Sequence, residues 1–197
     1  MRIAIVGGSG EFGRGLAGRL RRLGEDVVLG SRNPRDDLVA NEEAAAGADV
    51  VFLSVPPDGV ESMAASLARD LAGKIVVSVA SPVVFRDGRP TAAPGERSLA
   101  ELAAAAAPGS RVVAGFHTVS AQALAEDGAL AEDVLLAGDD QEAKDQVAAL
   151  AERLVEGRAV DAGPVEIARW LETLTAVLLN VNRRYRTNAG IRITGLD

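Results

Sequence analysis

The feature that most limits the fold is Gly8-Ser9-Gly10-Glu11-Phe12-Gly13, placed directly after the apolar run Ile3 to Val6 and at the start of a helical pattern reaching Leu23. Glycines at this spacing permit a tight turn, a close approach of backbone to a pyrophosphate, and intimate contact between helix and strand. The free N–H groups and positive dipole end of the helix then attract the phosphates. Strand, loop, helix and a second apolar run follow in the order of a dinucleotide-binding unit, so dinucleotide binding is expected. A nucleoside-triphosphate loop is set aside, because no Gly-Lys-Ser/Thr follows the glycines.

The rest of the chain alternates short apolar runs with longer helical patterns, the signature of a parallel sheet covered by helices. Strands are predicted at Ile3 to Val6, Asp26 to Leu29, Val50 to Ser54, Ile75 to Ser78, Val112 to Phe116 and Val134 to Ala137. Helices are predicted at Phe12 to Leu23, Asp58 to Leu71, Ser98 to Ala107 and Gln141 to Leu154, with Gly24 closing the first. After the turn cluster Asp161-Ala162-Gly163-Pro164, Val165 to Arg184 reads as one long helix. Its apolar stripe, Ile167, Leu171, Leu174, Val177, Leu178 and Val181, must cover the sheet or a second subunit, a homodimer in the latter case. The expected fold is α/β, a Rossmann-like doubly wound, mostly parallel sheet with a C-terminal helical extension. Residues 1–160 form the dinucleotide-binding domain and 161–197 the appended helix and tail.

Composition removes several function classes. With 28 acidic against 21 basic side chains the formal charge is -7, which disfavours a protein devoted to nucleic acid or anionic membranes. The trio Arg19, Arg21 and Arg22 reads as a solvated helix face. The absence of cysteine removes disulfides, thiolate metal sites and cysteine nucleophiles, and a single histidine leaves no expected metal site. No stretch approaches the roughly 18 to 20 apolar residues of a membrane span, and Met1 leads straight into a strand-like run. The cytoplasm is the expected compartment.

Which dinucleotide is bound is read from the end of the second strand. An NAD site usually carries Asp or Glu there to accept from the ribose 2'-hydroxyl. This chain has Gly30-Ser31-Arg32, donors suited to a 2'-phosphate, and Arg35 could add a second positive charge. NADP is therefore preferred, and Asp36 and Asp37 fall beyond the strand end. Two further segments stand at carboxyl ends of strands, where open α/β sheets bind ligands: Ser54-Val55-Pro56 and His117. A lone imidazole is more often a packed structural residue than a proton donor, and no catalytic acid or base is assigned.

Taken together, Gly7-Gly8-Ser9-Gly10, Val28-Leu29-Gly30-Ser31-Arg32, Ser54-Val55-Pro56, Phe116-His117-Thr118, Asp161-Ala162-Gly163-Pro164 and Gly190-Ile191-Arg192 resemble the NADPH-dependent coenzyme F420 reductases. The resemblance implies hydride exchange between C4 of the nicotinamide and C5 of the deazaflavin coenzyme F420. It places the NADP pyrophosphate on Ser9, Gly10, Glu11 and Phe12, and the 2'-phosphate on Ser31, Arg32 and Arg35. Further cofactor contacts are implied at Val55, Gly59, Ser81 and Ala121, and an F420 contact at Ala189, so that the C-terminal segment completes the F420 side or a dimer contact. His117, if functional, would donate a hydrogen bond to the deazaflavin or to the nicotinamide carboxamide. The arginines Arg183, Arg184 and Arg186 either grip a deazaflavin tail or form a solvated helix end.

One departure from the family stands out. Only eight residues separate Arg32 from Asn41, where the family carries a helix and a strand. Leu38 to Ala40 is then a vestigial strand, and the adenine side of the site is expected to be more open. Three other functions stay in view: an NADPH-dependent reductase of a flavin or other small acceptor, related to ferric reductases; a reductase of a small imine or 3-hydroxy acid; and a non-enzymatic NADP-sensing module. The second lacks room, since its relatives add a large helical domain after the position of Pro164.

Overall fold

The computed structural model describes residues 1–196; Asp197, the end of the expected C-terminal tail, lies outside the described residues. Among the described residues ten strands and seven helices follow in the order β1 (Arg2–Val6), α1 (Glu11–Arg22), β2 (Asp26–Ser31), β3 (Leu38–Ala40), α2 (Asn41–Ala46), β4 (Val50–Leu53), α3 (Val60–Ser66), β5 (Ile75–Ser78), β6 (Val83–Arg86), β7 (Arg89–Ala92), α4 (Leu99–Ala106), β8 (Arg111–Gly115), α5 (Ala121–Ala125), β9 (Val134–Gly138), α6 (Gln141–Glu152), β10 (Ala159–Asp161) and α7 (Ala168–Tyr185). Eight of the strands form one sheet in the order β10-β9-β8-β5-β4-β1-β2-β3. Within that sheet every pairing is parallel except that of β8 with β9. The expected Rossmann-like architecture is therefore present. Its strand order reverses beside β1, opening a crevice at the carboxyl ends of β1 and β4.

The period-2 alternation of the strands decides which helices cover which face. Ile3 and Ile5 of β1, with Val27 and Leu29 of β2, meet Leu16 and Leu20 of α1 and, farther along, Val147 and Leu150 of α6. Ala4 and Val6 point the other way, into a layer made by Ala44 of α2, Val60 and Ala64 of α3, Ala100 of α4 and Leu171 of α7. Both faces are buried, which is why these strands read as unbroken apolar runs.

Several elements differ from expectation. The helix expected over Asp58 to Leu71 is a short 3-10 turn, Pro57–Gly59, then α3, then irregular turns. Val60, Ala64, Leu67 and Leu71 are nevertheless all buried, so the apolar period holds while the helical bonding stops. The hairpin of β6 and β7 was not expected. Pro82 and Pro90 obscured it, although Asp87-Gly88, both at positive φ, is the turn dipeptide that antiparallel ribbons favour. The short helices α2 and α5 were also missed. The segment Leu38–Ala40, expected to be vestigial, pairs with β2 as a regular edge strand.

The stripe on α7 splits. Leu171 is buried on the sheet side, but Val177 is 57% exposed and Trp170, one residue off the stripe, equally so. Arg19 also departs from the solvated face expected of it: its guanidinium donates to the carbonyls of Ala123, Leu124, Glu126 and Gly128 at 2.7 to 3.1 Å, binding the loop after α5 to α1.

Candidate functional site

Five parallel strands hand the chain to loops at one edge of the sheet, and these loops wall a continuous cavity of about 1540 Å³. The glycine loop forms its floor. Gly7 turns at φ +74°, and a Cβ there would fall 2.5 Å from the Ser54 carbonyl oxygen, so the loops after β1 and β4 can only touch if this residue is glycine. A Cβ on Gly13 would stand 2.8 Å from Gly8 Cα, which locks α1 against the end of β1. Gly10 is different. A Cβ there would meet nothing nearer than 3.9 Å, and α1 starts after it without any side-chain cap. Open space in front of uncapped N–H groups is the environment a pyrophosphate requires, and the loop fits one. Ser9, Gly10, Glu11 and Phe12 line the cavity, while Gly8 and Gly13 lie behind it as packing residues.

At the end of β2, Ser31 is buried and its Oγ accepts from the Asn33 N–H at 3.1 Å. Arg32 is exposed at the rim and in the lining. No ion pair engages it among the described residues, and the nearby Asp37 is turned to Arg14 and Arg21 at 3.4 and 3.9 Å. Asp37 is thereby committed to α1 and not to a ribose. Arg35, expected beside Arg32, is exposed and outside the lining. The chain turns at Asp36 (φ +54°) to begin β3, and the Arg35 carbonyl accepts from the Leu38 N–H in that turn.

Val55, Gly59, Ser81, His117, Ala121 and Ala189 also stand in the lining, Val55 directly beside Gly7. Phe116, buried beneath, holds φ +65° and packs edge-on against Phe52 with ring centroids 5.6 Å apart. A non-glycine residue in this conformation stores strain, and here it turns the chain sharply after β8 to aim His117 at the cavity. Burial pushes the His117 imidazole down to about 4, only partly offset by the backbone at Val79 and Ala80, so the ring is neutral at physiological pH.

Hydrogen-bond direction then fixes which nitrogen carries its proton. The Thr175 hydroxyl donates to the His117 carbonyl oxygen at 2.8 Å, so it must accept from the Ser81 hydroxyl at 2.7 Å. Ser81 Oγ is left with lone pairs only, 3.4 Å from His117 Nδ1, which therefore holds the proton. Nε2 is buried and without a hydrogen-bond partner, so the ring stands in the cavity wall as a packed residue.

Sequence reasoning missed three contributors. Asn41 is buried at the start of α2, where its Oδ1 accepts from the Gly7 N–H at 3.2 Å and props the glycine loop. Thr175, on α7, completes the histidine chain. Asn182, about two turns farther along α7, accepts from the Ala189 N–H at 2.7 Å and holds the tail beside the cavity. None has a local motif, since each partner lies at least seven residues away in the chain. Of the C-terminal arginines, Arg186 lines the cavity, Arg183 donates to the Gly88 carbonyl and Arg184 lies 6.0 Å over the Tyr185 ring.

Comparison with known proteins places this geometry. Residues 2–82 match a family described as NADP oxidoreductase coenzyme F420-dependent. Over 222 aligned positions the chain is 37% identical to the F420-dependent NADP reductase of Methanothermobacter thermautotrophicus, covering 100% of this chain and 96% of that protein. The alignment exceeds the 197 residues present here, so the relative carries segments this chain lacks. A crystal structure of a candidate F420-dependent NADP reductase from Arthrobacter sp. FB24 superposes with a TM-score of 0.87 at 31% identity, covering 98% of this chain and 99% of that one. Metalloreductase STEAP3 of Rattus norvegicus is 36% identical over 87% of this chain but only 36% of its own length.

Proposed function

The chain belongs to the family of F420-dependent NADP reductases, and we propose that its cavity holds NADP(H) along the glycine loop and coenzyme F420 against α7 and the C-terminal tail. It is an oxidoreductase. When both are bound, a hydride passes between nicotinamide C4 and deazaflavin C5, and in the direction of F420 reduction one proton from solvent completes the reduced deazaflavin. The observation that carries the reading is the continuity of the cavity. A single small-molecule site occupies about 300–1,000 Å³, and a space of about 1540 Å³ reaching from Ser9 to Ala189 has room for two cofactors end to end.

The protein's own share is to bind, orient and exclude water. Ser9, Glu11 and Phe12 offer backbone N–H groups to the pyrophosphate beside the open space at Gly10, whose own N–H donates to the Gly7 carbonyl, and Ser31 and Arg32 read the 2'-phosphate, with Arg35 near enough along the chain to add charge if its turn opens. Val55, Gly59, Ser81 and Ala121 make further cofactor contacts, while Ala189 backs the deazaflavin. Positioning two rings that already own their redox chemistry needs no acid–base residue. Residues 1–160 would supply the dinucleotide half and 161–197 the deazaflavin half.

A homodimer in the cytoplasm is part of the same proposal. Trp170 and Val177 lie two turns apart on one side of α7, and Phe85 on the hairpin is 70% exposed, an apolar surface a second copy would cover. No helix among the described residues is long and apolar enough to cross a membrane. The test is direct: NADPH is mixed with F420 under anaerobic conditions and the deazaflavin absorbance is followed. Bleaching is the expected result. Reduction of a flavin in its place would transfer the reading to a different acceptor, and NADPH binding without turnover of either would leave an NADP sensor.

A further inference from the structure

The buried charge farthest from any role assigned so far is Asp133, fully enclosed just before β9. Two stretches remote in sequence meet on it. Its N–H donates to the Ile191 carbonyl oxygen at 2.7 Å, its Oδ2 accepts from the Ile193 N–H at 2.7 Å, and its Oδ1 accepts from the Arg158 N–H at 2.8 Å. Arg192 approaches the same carboxylate, with its Nε 3.6 Å from Oδ1. Arg158 adds its guanidinium, which donates to the Ile193 carbonyl at 2.9 Å and also to the Leu196 carbonyl. The N–H groups of Ile193 and Arg158 hold the carboxyl below its usual range in spite of burial, so it is ionised and fully partnered.

The surrounding space allows no other arrangement. A Cβ on Gly157 would fall 2.5 Å from Asp133 Oδ1, and one on Gly190 would fall 2.4 Å from Glu132 Cβ. The tail itself, Thr187 to Leu196, forms neither helix nor strand. A segment without a ladder takes its position from whatever else satisfies its backbone groups. On the cavity side it has the Ala189 bond to Asn182 and a bond from the Ser120 hydroxyl to Asn188 Oδ1 at 3.2 Å. Thr187 N–H donates to the Asn182 carbonyl and the Arg192 guanidinium to the Ala131 carbonyl; the other bonds converge on Asp133 and Arg158, only a few residues beyond Asn188 and Ala189, which line the cavity.

We propose that Asp133 is a positioning residue for the second substrate: its buried carboxylate latches the C-terminal tail across the ends of β9 and β10, and so sets the wall that Asn188 and Ala189 present to the deazaflavin. The proposal rests on the reading of that wall as the F420 side. Nothing on the glycine loop touches the latch, so its effect must separate the two substrates.

The experiment compares the full chain with Asp133→Asn, which keeps the shape but loses the charge and one acceptor. The KM for F420 should rise about tenfold or more, the effect of losing a charged hydrogen-bond partner, while the KM for NADPH stays within about twofold. Amide hydrogen exchange at residues 188–193 should accelerate by about the same tenfold. Arg158→Ala, which removes only the side-chain bonds to the tail carbonyls, should act in the same direction and less. An equal rise in both KM values, or tail amides that exchange no faster, overturns the latch. If Asp133→Asn fails to fold, Arg158→Ala decides: an unchanged F420 KM sinks the proposal. Failure of the unaltered protein to reduce F420 would overturn the functional reading instead, and tail exchange in Asp133→Asn would still judge the latch by itself.

Discussion

The two ends of the cavity are built on different principles. At the dinucleotide end the wall is backbone: a glycine loop in which Gly7, Gly8 and Gly13 admit close contacts and Gly10 leaves space. At the other end it is a set of long-range side-chain bonds, with Ser81, Thr175, Asn182 and Asp133 tying α7 and an irregular tail to the sheet. A backbone-built wall is contiguous in sequence and fails all at once when a methyl group enters it. A side-chain-built wall is dispersed and should fail by degrees.

That contrast can be broken most sharply at Gly13. Gly13→Ala forces a methyl group against Gly8, an overpacking effect of about 1–3 kcal/mol, and should weaken NADPH binding by about a hundredfold in a fluorescence titration. A variant that binds normally would show that the loop has slack. Next in size, Arg32→Ala removes a charged partner of the 2'-phosphate, worth about 1.5–3 kcal/mol. The KM for NADPH should rise at least tenfold while that for NADH barely moves; equal effects would end the assignment.

At the side-chain end, His117→Ala should lower kcat by less than about tenfold, well short of the 10²-fold or more expected of a proton-transfer residue. Because the native ring stays neutral above about pH 4, the unaltered enzyme should show no titration of kcat/KM near pH 6.5 that His117→Ala abolishes. Finding such a titration would restore the histidine as an acid.

The smallest effect concerns stability. Glu172 of α7 accepts from the N–H groups of Leu99 and Ala100, both at 3.0 Å, joining α7 to the start of α4. Burial raises its carboxyl to about 7 in spite of those bonds. The folded state therefore holds a proton that the unfolded chain releases above its ordinary value near 4.5, and this contribution declines as pH rises from about 4.5 to 7. Thermal unfolding should show the unaltered protein losing stability relative to Glu172→Gln between pH 5 and 8. Parallel curves for the two would refute the shift.

Legibility in the sequence follows the same division. The glycine loop, the Ser31-Arg32 pair and the carboxyl-end segments at Val55 and His117 could be read because each is a short run whose chemistry depends on its neighbours. Arg35 was read as part of that run and stands outside the lining, because the reversal at Asp36 is a turn property that no spacing rule carried. The hairpin of β6 and β7 was legible in Asp87-Gly88 but hidden by its prolines. Asn41, Thr175 and Asn182 were not legible at all, since their partners are met only after the sheet has assembled.

The apolar runs, the glycine spacing and the Ser31-Arg32 pair by themselves determined a doubly wound sheet, an open helix end and a preference for NADP. These are consequences of period, of the absence of a Cβ and of the donors at one strand end, and all three are local. Only the tertiary structure decided that Arg19 anchors a loop, that His117 is tied to Ser81 and Thr175, and that Asp133 holds the tail. Each of those depends on which distant carbonyl, hydroxyl or N–H lies within about 3 Å, and a linear pattern of residue types contains no such distance.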